Sequence, residues 1–185
     1  NLRPPRFIHV EAWPIYAASS GMLYRVETSP TGSDTAIGVI RTGSGVTPTV
    51  TDIAVTPTGQ VHAIAFSTLY SIDPRTAVAT QVGSGLGEAD VNALSSDSAG
   101  KLYAATASGI FLRVDATTGV STRIGPYGSG YSSAGDIAFS TPGVLFATVQ
   151  GTSYNSILVT VAPGTGVATR VGSPLTDSGF ANVYS

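Results

Sequence analysis

The chain has 185 residues, enough for one domain with a true core: at this size folding buries roughly 70% of the unfolded surface. Hydrophobic residues make up 42% of it, which excludes disorder, while charged residues reach only 11%, against about 25% for soluble domains at large. Nine basic and eleven acidic side chains leave a net charge of -2, with no Lys/Arg cluster to displace counterions, so nucleic-acid and polybasic membrane binding are excluded. Without cysteine there is no disulfide, thiolate metal ligand or cysteine nucleophile, and no apolar run approaches the ~18 residues that a bilayer span needs.

Residues 1–12 form an arm outside the pattern that governs the remainder. Pro4-Pro5 favours an extended lead, and Phe7-Ile8-His9-Val10 has strand composition without a partner in its own chain. An apolar strand with unpaired backbone groups seeks an edge. The arm is therefore expected to dock on another copy by strand addition, with Phe7, Ile8 and Val10 as assembly residues in a head-to-tail contact. The competing reading folds it over its own domain.

Residues 13–185 repeat. Ile15-Tyr16-Ala17-Ala18-Ser19, Leu23-Tyr24-Arg25-Val26-Glu27 and Ile37-Gly38-Val39-Ile40 read as three strands. A full unit follows: Val50-Thr51-Asp52-Ile53-Ala54-Val55, Val61 to Phe66, Leu69 to Asp73, and Ala79 to Gly83. The next runs from Val91 through Leu102-Tyr103-Ala104-Ala105-Thr106 and Phe111 to Asp115, closing at Ser121-Thr122-Arg123-Ile124-Gly125. The last runs from Ala134 through Leu145 to Val149 and Leu158 to Val161, closing at Ala168-Thr169-Arg170-Val171-Gly172. The turn glycines Gly59, Gly100 and Gly143 lie 41 and 43 residues apart (100 − 59 and 143 − 100).

Each unit thus holds four short β-branched and aromatic segments between Gly, Pro, Ser and Asp turns, and no 3.6-residue period appears. A period near 42 residues with four antiparallel strands predicts an all-β fold, a small β-propeller of four blades. The first blade lacks an inner strand, and Phe180-Ala181-Asn182-Val183-Tyr184-Ser185 supplies the pattern at the other end. The C-terminal strand is therefore expected to pair with the first blade and close the ring.

These units resemble a class of secreted bacterial propeller repeats, in which "LYRID-xxTG-xxTxIG" precedes "GLAF-xPxG-xLYA". The matching residues are Leu112-Arg113-Val114-Asp115, Thr118-Gly119 and Thr122-Arg123-Ile124-Gly125, then Asp136-Ile137-Ala138-Phe139, Gly143 and Leu145-Phe146-Ala147. The resemblance spans Trp13 to Ser185 and implies an extracellular or cell-surface location.

Ligands of a propeller are expected at the loops joining one blade to the next: residues 42–48, 83–90, 125–135 and 172–179. Their functional groups are Glu88, Asp90, Tyr127, Tyr131 and Asp177. Tyr127 and Tyr131 offer flat amphipathic faces for sugars, or else cover their own loop's backbone or an interface. Asp52, Asp136 and Asn182 share one repeat position near the axis and are candidate ligand residues, although Ala93 breaks the set, so no metal is expected. His62 replaces Tyr16, Tyr103 and Phe146 and reads as packing; Arg113, Arg123 and Arg170 read as partners of neighbouring strands. No Gly-x-Ser-x-Gly elbow, phosphate loop or zinc spacing appears, so neither catalytic residues nor a cofactor are expected and the chain reads as a non-enzyme. The resulting expectation is a structural surface module that associates with copies of itself into filaments. The alternative is a lectin-like module whose partners are glycans.

Overall fold

A computed structural model describes residues 15–19, 21–28, 32–141, 143–151 and 156–172. Short strands separated by tight turns account for all the regular structure among them. Blade 1 contains β1 (Ile15–Ser19), β2 (Met22–Val26) and β3 (Thr35–Val39), and β4 (Arg41–Thr42) follows it. Blade 2 is β5 (Asp52–Val55), β6 (Val61–Ala65), β7 (Thr68–Ile72) and β8 (Val78–Val82). Blade 3 is β9 (Val91–Ser96), β10 (Leu102–Thr106), β11 (Ile110–Val114) and β12 (Ser121–Pro126). Blade 4 is β13 (Ser132–Phe139), β14 (Leu145–Gln150), β15 (Ser156–Val161) and β16 (Ala168–Arg170). Within each blade sequential strands pair antiparallel; β4 alone pairs parallel, laying Arg41 beside Val78 and Thr42 beside Ala79 of blade 2.

The innermost strands β5, β9 and β13 stand side by side around a common axis, which makes the molecule a four-bladed β-propeller. Side-chain alternation sends one face of each blade to its neighbour on either side. Among the described residues three hydrophobic clusters result, one at each seam from blade 1 through blade 4. Leu23 and Ile40 meet Val61 and Ala63 between blades 1 and 2; Ile64 and Leu69 meet Leu94 and Leu112 between blades 2 and 3; Phe111 and Tyr127 meet Val149 and Val159 between blades 3 and 4. Blade 1 presents β1 as its inner edge among the described residues. The closing segment expected at residues 180–185, like the arm at 1–12, lies outside the described residues.

The turns Asp73-Pro74-Arg75-Thr76-Ala77 and Asp115-Ala116-Thr117-Thr118-Gly119 are each capped by their own aspartate, and Ala162 to Gly166 holds the same place in blade 4. Asp115 Oδ1 accepts the Thr117 and Thr118 amides at 2.9 and 2.8 Å, and Asp73 Oδ1 accepts Arg75 N–H at 2.8 Å. These amides hold both carboxyls below the usual carboxylate range. Each turn closes on a residue with positive φ, Ala77, Gly119 or Gly166. At Gly119 and Gly166 the backbone of the preceding blade comes too close for a side chain.

Candidate functional site

Two of the loops expected to receive ligand, 83–90 and 125–135, are occupied in joining blades. In the 83–90 loop, Leu86 is buried in the seam of blades 2 and 3, and its carbonyl accepts Ser121 Oγ at 2.5 Å. Glu88 takes a two-toothed grip from Arg123, at 2.5 Å through Nε and 2.9 Å through the second guanidinium nitrogen. Asp90 Oδ2 accepts Ser108 N–H at 2.9 Å. Arg123 thus pairs with the loop that joins blades 2 and 3 rather than with a neighbouring strand, whereas Arg113 and Arg170 join no ion pair among the described residues.

Tyr127 corrects the sequence expectation most sharply. It is 0% exposed, stacked 6.2 Å from Phe111, with its amide bonded to Gly109 and its carbonyl to Ala168 of blade 4. Burial pushes its hydroxyl well above the usual phenol range. The 125–135 stretch is short as a loop because β12 extends to Pro126 and β13 begins at Ser132. The remaining residues drop Tyr127 into the seam, so it offers no face to a sugar. Tyr131 is half-buried against the same cluster.

Asp52 and Asp136 do converge near the axis. Asp52 Oδ1 accepts its own neighbour's amide, Ile53, at 2.7 Å, and Oδ2 reaches across to Leu94 N–H of blade 3 at 2.6 Å. Burial, with a smaller contribution from Asp136, pushes this carboxyl up to about 7 against the pull of the two amides. Burial also raises Asp136, whose carboxyl takes the Ile137 amide. Asp52 thus ties blade 2 to blade 3, whereas Asp136 bonds within its own strand. Asn182, like Asp177, Phe7, Ile8 and Val10, lies outside the described residues. Among the described residues no three acidic or imidazole side chains gather into a metal-binding group. His62 is 1% exposed, with neither ring nitrogen partnered and its pKa lowered by burial, so it packs as a neutral ring.

The open ground lies at the other end of the inner strands. Three equivalent hairpin turns begin at Thr56, Asp97 and Ser140, and each first residue caps its own turn. Thr56 Oγ1 accepts Gln60 N–H at 3.2 Å, Asp97 Oδ1 accepts the Ala99 and Lys101 amides, both at 2.9 Å, and Ser140 Oγ donates to Val144 C=O at 3.2 Å. Around the axis these turns enclose a recess of about 470 Å³, lined by Ile15, Val55 and Phe139 together with Ser96, Ser98 and Thr141. All four blades contribute to it. A second recess of about 430 Å³ shares Asp97, Ser98, Phe139, Ser140 and Thr141 and continues outward to Tyr103 and Pro163 along the seam of blades 3 and 4.

Together they make a groove with one aromatic corner. Tyr103 stacks on Phe111 at 5.6 Å and 8°, and Phe139 leans on Tyr103 at 5.3 Å and 57°. A ladder of rings thus runs from the buried Tyr127 through Phe111 to the groove, and the corner is stiff because its far end is core. Burial and the neighbouring Asp97 carboxylate push the Tyr103 hydroxyl up. Hydroxyls, one carboxylate and aromatic surface in one concavity suit a polyhydroxylated ligand. Sequence reasoning passed over these residues because Thr, Asp and Ser before Gly read as turn formers; their recurrence at one repeat position was the available signal.

No protein-family model matches the chain, and no curated protein matches it. Solved structures do. A symmetrical protein from work on its de novo evolutionary emergence under folding constraints shares 19% identity at a TM-score of 0.56, over 88% of this chain and 75% of that one. An auxiliary nutrient binding protein of Bacteroides thetaiotaomicron VPI-5482 shares 18% at 0.53, over 85% of this chain and 40% of that one. Virginiamycin B lyase from Staphylococcus aureus shares 11% at 0.55, over 88% of this chain and 56% of that one. The chain is a propeller. At these identities the likeness extends to fold alone, and propellers of this shape include a binding protein and a lyase.

Proposed function

We propose that the protein is a non-catalytic extracellular propeller that binds a saccharide in the groove between the hairpin ends of blades 3 and 4. The observation that carries this reading is the Tyr103–Phe139 corner set among Asp97, Ser98, Ser140 and Thr141. A pyranose lays its C–H face on the aromatic corner while its hydroxyls meet the serine and threonine oxygens. A nutrient-binding neighbour of the same fold is consistent with such a role.

The test fills the groove from its rim. Thr141 is exposed, so Thr141→Trp is expected to leave stability unchanged and to abolish binding on a glycan array or by titration calorimetry. A Thr141→Trp protein that binds the same saccharides with undiminished affinity would contradict the reading.

A second reading, self-association into filaments through residues 1–12, is favoured by the low charged fraction of 11%, since charge is what keeps a monomer dispersed. Sedimentation at rising concentration tests it, and a chain that remains monomeric throughout rejects it.

A further inference from the structure

We infer, resting on the groove reading above, that the saccharide is acidic and that Lys101 and Arg113 select its oxyanion. Blades 2 and 3 carry the same recess at the outer end of their middle strands. In blade 2 it measures about 520 Å³ and is lined by Gln60, Ser71, Asp73, Thr76 and Thr80. In blade 3 it measures about 590 Å³ and is lined by the repeat counterparts Lys101, Arg113, Asp115, Thr118 and Thr122.

The two differ where it matters for charge. In blade 2 Gln60 Nε2 donates to Ser71 Oγ at 3.3 Å, so the two positions are within bonding reach and satisfy each other. In blade 3 those positions hold two cations, which have only donors to offer and cannot satisfy each other. Among the described residues, ion pairs join Arg25 to Glu27 and Arg123 to Glu88, and none engages Lys101 or Arg113. The nearby carboxylates are engaged in their own turns: Asp115 on the Thr117 and Thr118 amides, Asp97 on those of Ala99 and Lys101. An oxyanion supplies the acceptor that both cations lack, with the Thr122 hydroxyl as a further donor.

This recess adjoins the groove. Arg113 lies directly opposite Tyr103 in the β10–β11 pairing, and Tyr103 borders the groove. A sugar resting on Tyr103 and Phe139 therefore brings a ring substituent towards Arg113. Both a hexuronate carboxylate and a sulfate ester carry the required oxyanion.

The test uses the full chain and calorimetric titration with three oligosaccharides of matched length: a galacturonide, a sulfated galactan and a neutral galactan. Lys101→Gln and Arg113→Ser install the blade 2 residues, which this fold already tolerates at the equivalent positions. One or both acidic ligands should bind about tenfold tighter than the neutral one at about 20 mM salt, and the preference should shrink at about 200 mM. The double variant should abolish the preference while retaining neutral binding. Whichever acidic arm shows it identifies the source of the oxyanion. Equal affinity for acidic and neutral ligands, with Thr141→Trp still abolishing both, overturns the inference and leaves the groove reading intact. Acidic binding that depends on Lys101 and Arg113 but survives Thr141→Trp overturns the groove reading. Competition by inorganic phosphate as effective as that of the charged oligosaccharides overturns the saccharide and leaves an anion recess alone.

Discussion

Replacing Gly119 by alanine tests how the blades are fitted together. Gly119 ends the turn between β11 and β12 with φ of +70°, and a Cβ there would fall on the carbonyl oxygen of Val82 in blade 2, 2.9 Å from the carbonyl carbon. The obstruction is backbone on both sides, since Gly83 meets the Thr118 carbonyl reciprocally. Two costs arise: about 1 kcal/mol for an L-residue in the left-handed region, and about 1–3 kcal/mol for forcing a packed seam apart. Gly87 separates them. Its φ is +72° and nothing lies within 4 Å of its virtual Cβ, so Gly87→Ala should incur the first cost only. Urea unfolding with an unchanged m-value should give Gly119→Ala a loss of about 2–4 kcal/mol and Gly87→Ala about 1, out of the 5–15 kcal/mol typical of a domain. Equal losses in the two variants, within about 0.5 kcal/mol, would refute the close-approach argument. Ala77 holds the equivalent turn position with φ of 58° because its neighbour across the seam is Gly38, whose virtual Cβ stands 3.7 Å from the Ala77 methyl.

Two titrations bracket stability. Asp52 favours its neutral form when folded, so the stability it contributes is full below its ordinary 3.8 and is lost as pH rises through about 7, at most about 4 kcal/mol in size. Urea midpoints from pH 4 to 8.5 should show that decline, and Asp52→Asn should flatten it; an undiminished decline in the variant rejects the assignment. His62 acts oppositely. Its lowered pKa gives stability that is present above 6.5 and lost as pH falls further, and His62→Leu should remove that acid limb. Deleting residues 180–185 removes Phe180, Val183 and Tyr184. If that segment completes blade 1 beside β1, the loss at about 1.5–3 kcal/mol per side chain should approach the whole stability of the domain. A truncated chain as stable as the parent contradicts closure by this segment.

The architecture was legible because the repeat writes it several times over. Gly59, Gly100 and Gly143 fix the phase, and the strands expected at Ile15, Leu23 and Ile37 form as β1, β2 and β3. The site was less legible, for a reason specific to loops. Pro126-Tyr127-Gly128 has the composition of an exposed turn whether its tyrosine points to water or into a seam, and only the neighbouring blade decides. Arg123 and Glu88 are 35 residues apart and meet because β12 runs beside the preceding loop. The parallel pairing of β4 with β8 likewise has no local signature. Lys101 and Arg113 become informative only when set against Gln60 and Ser71, once the register of the two blades is known.

The location of the binding groove is open to direct measurement by amide chemical-shift mapping of the labelled full chain during titration with an oligogalacturonide. The account places the shifted amides at the hairpin ends of blades 3 and 4: Ser96 to Ser98, Tyr103, Arg113 and Phe139 to Thr141. Shifts confined to the opposite end, in residues 83–90 and 127–131, or no shifts at saturating saccharide, would contradict it.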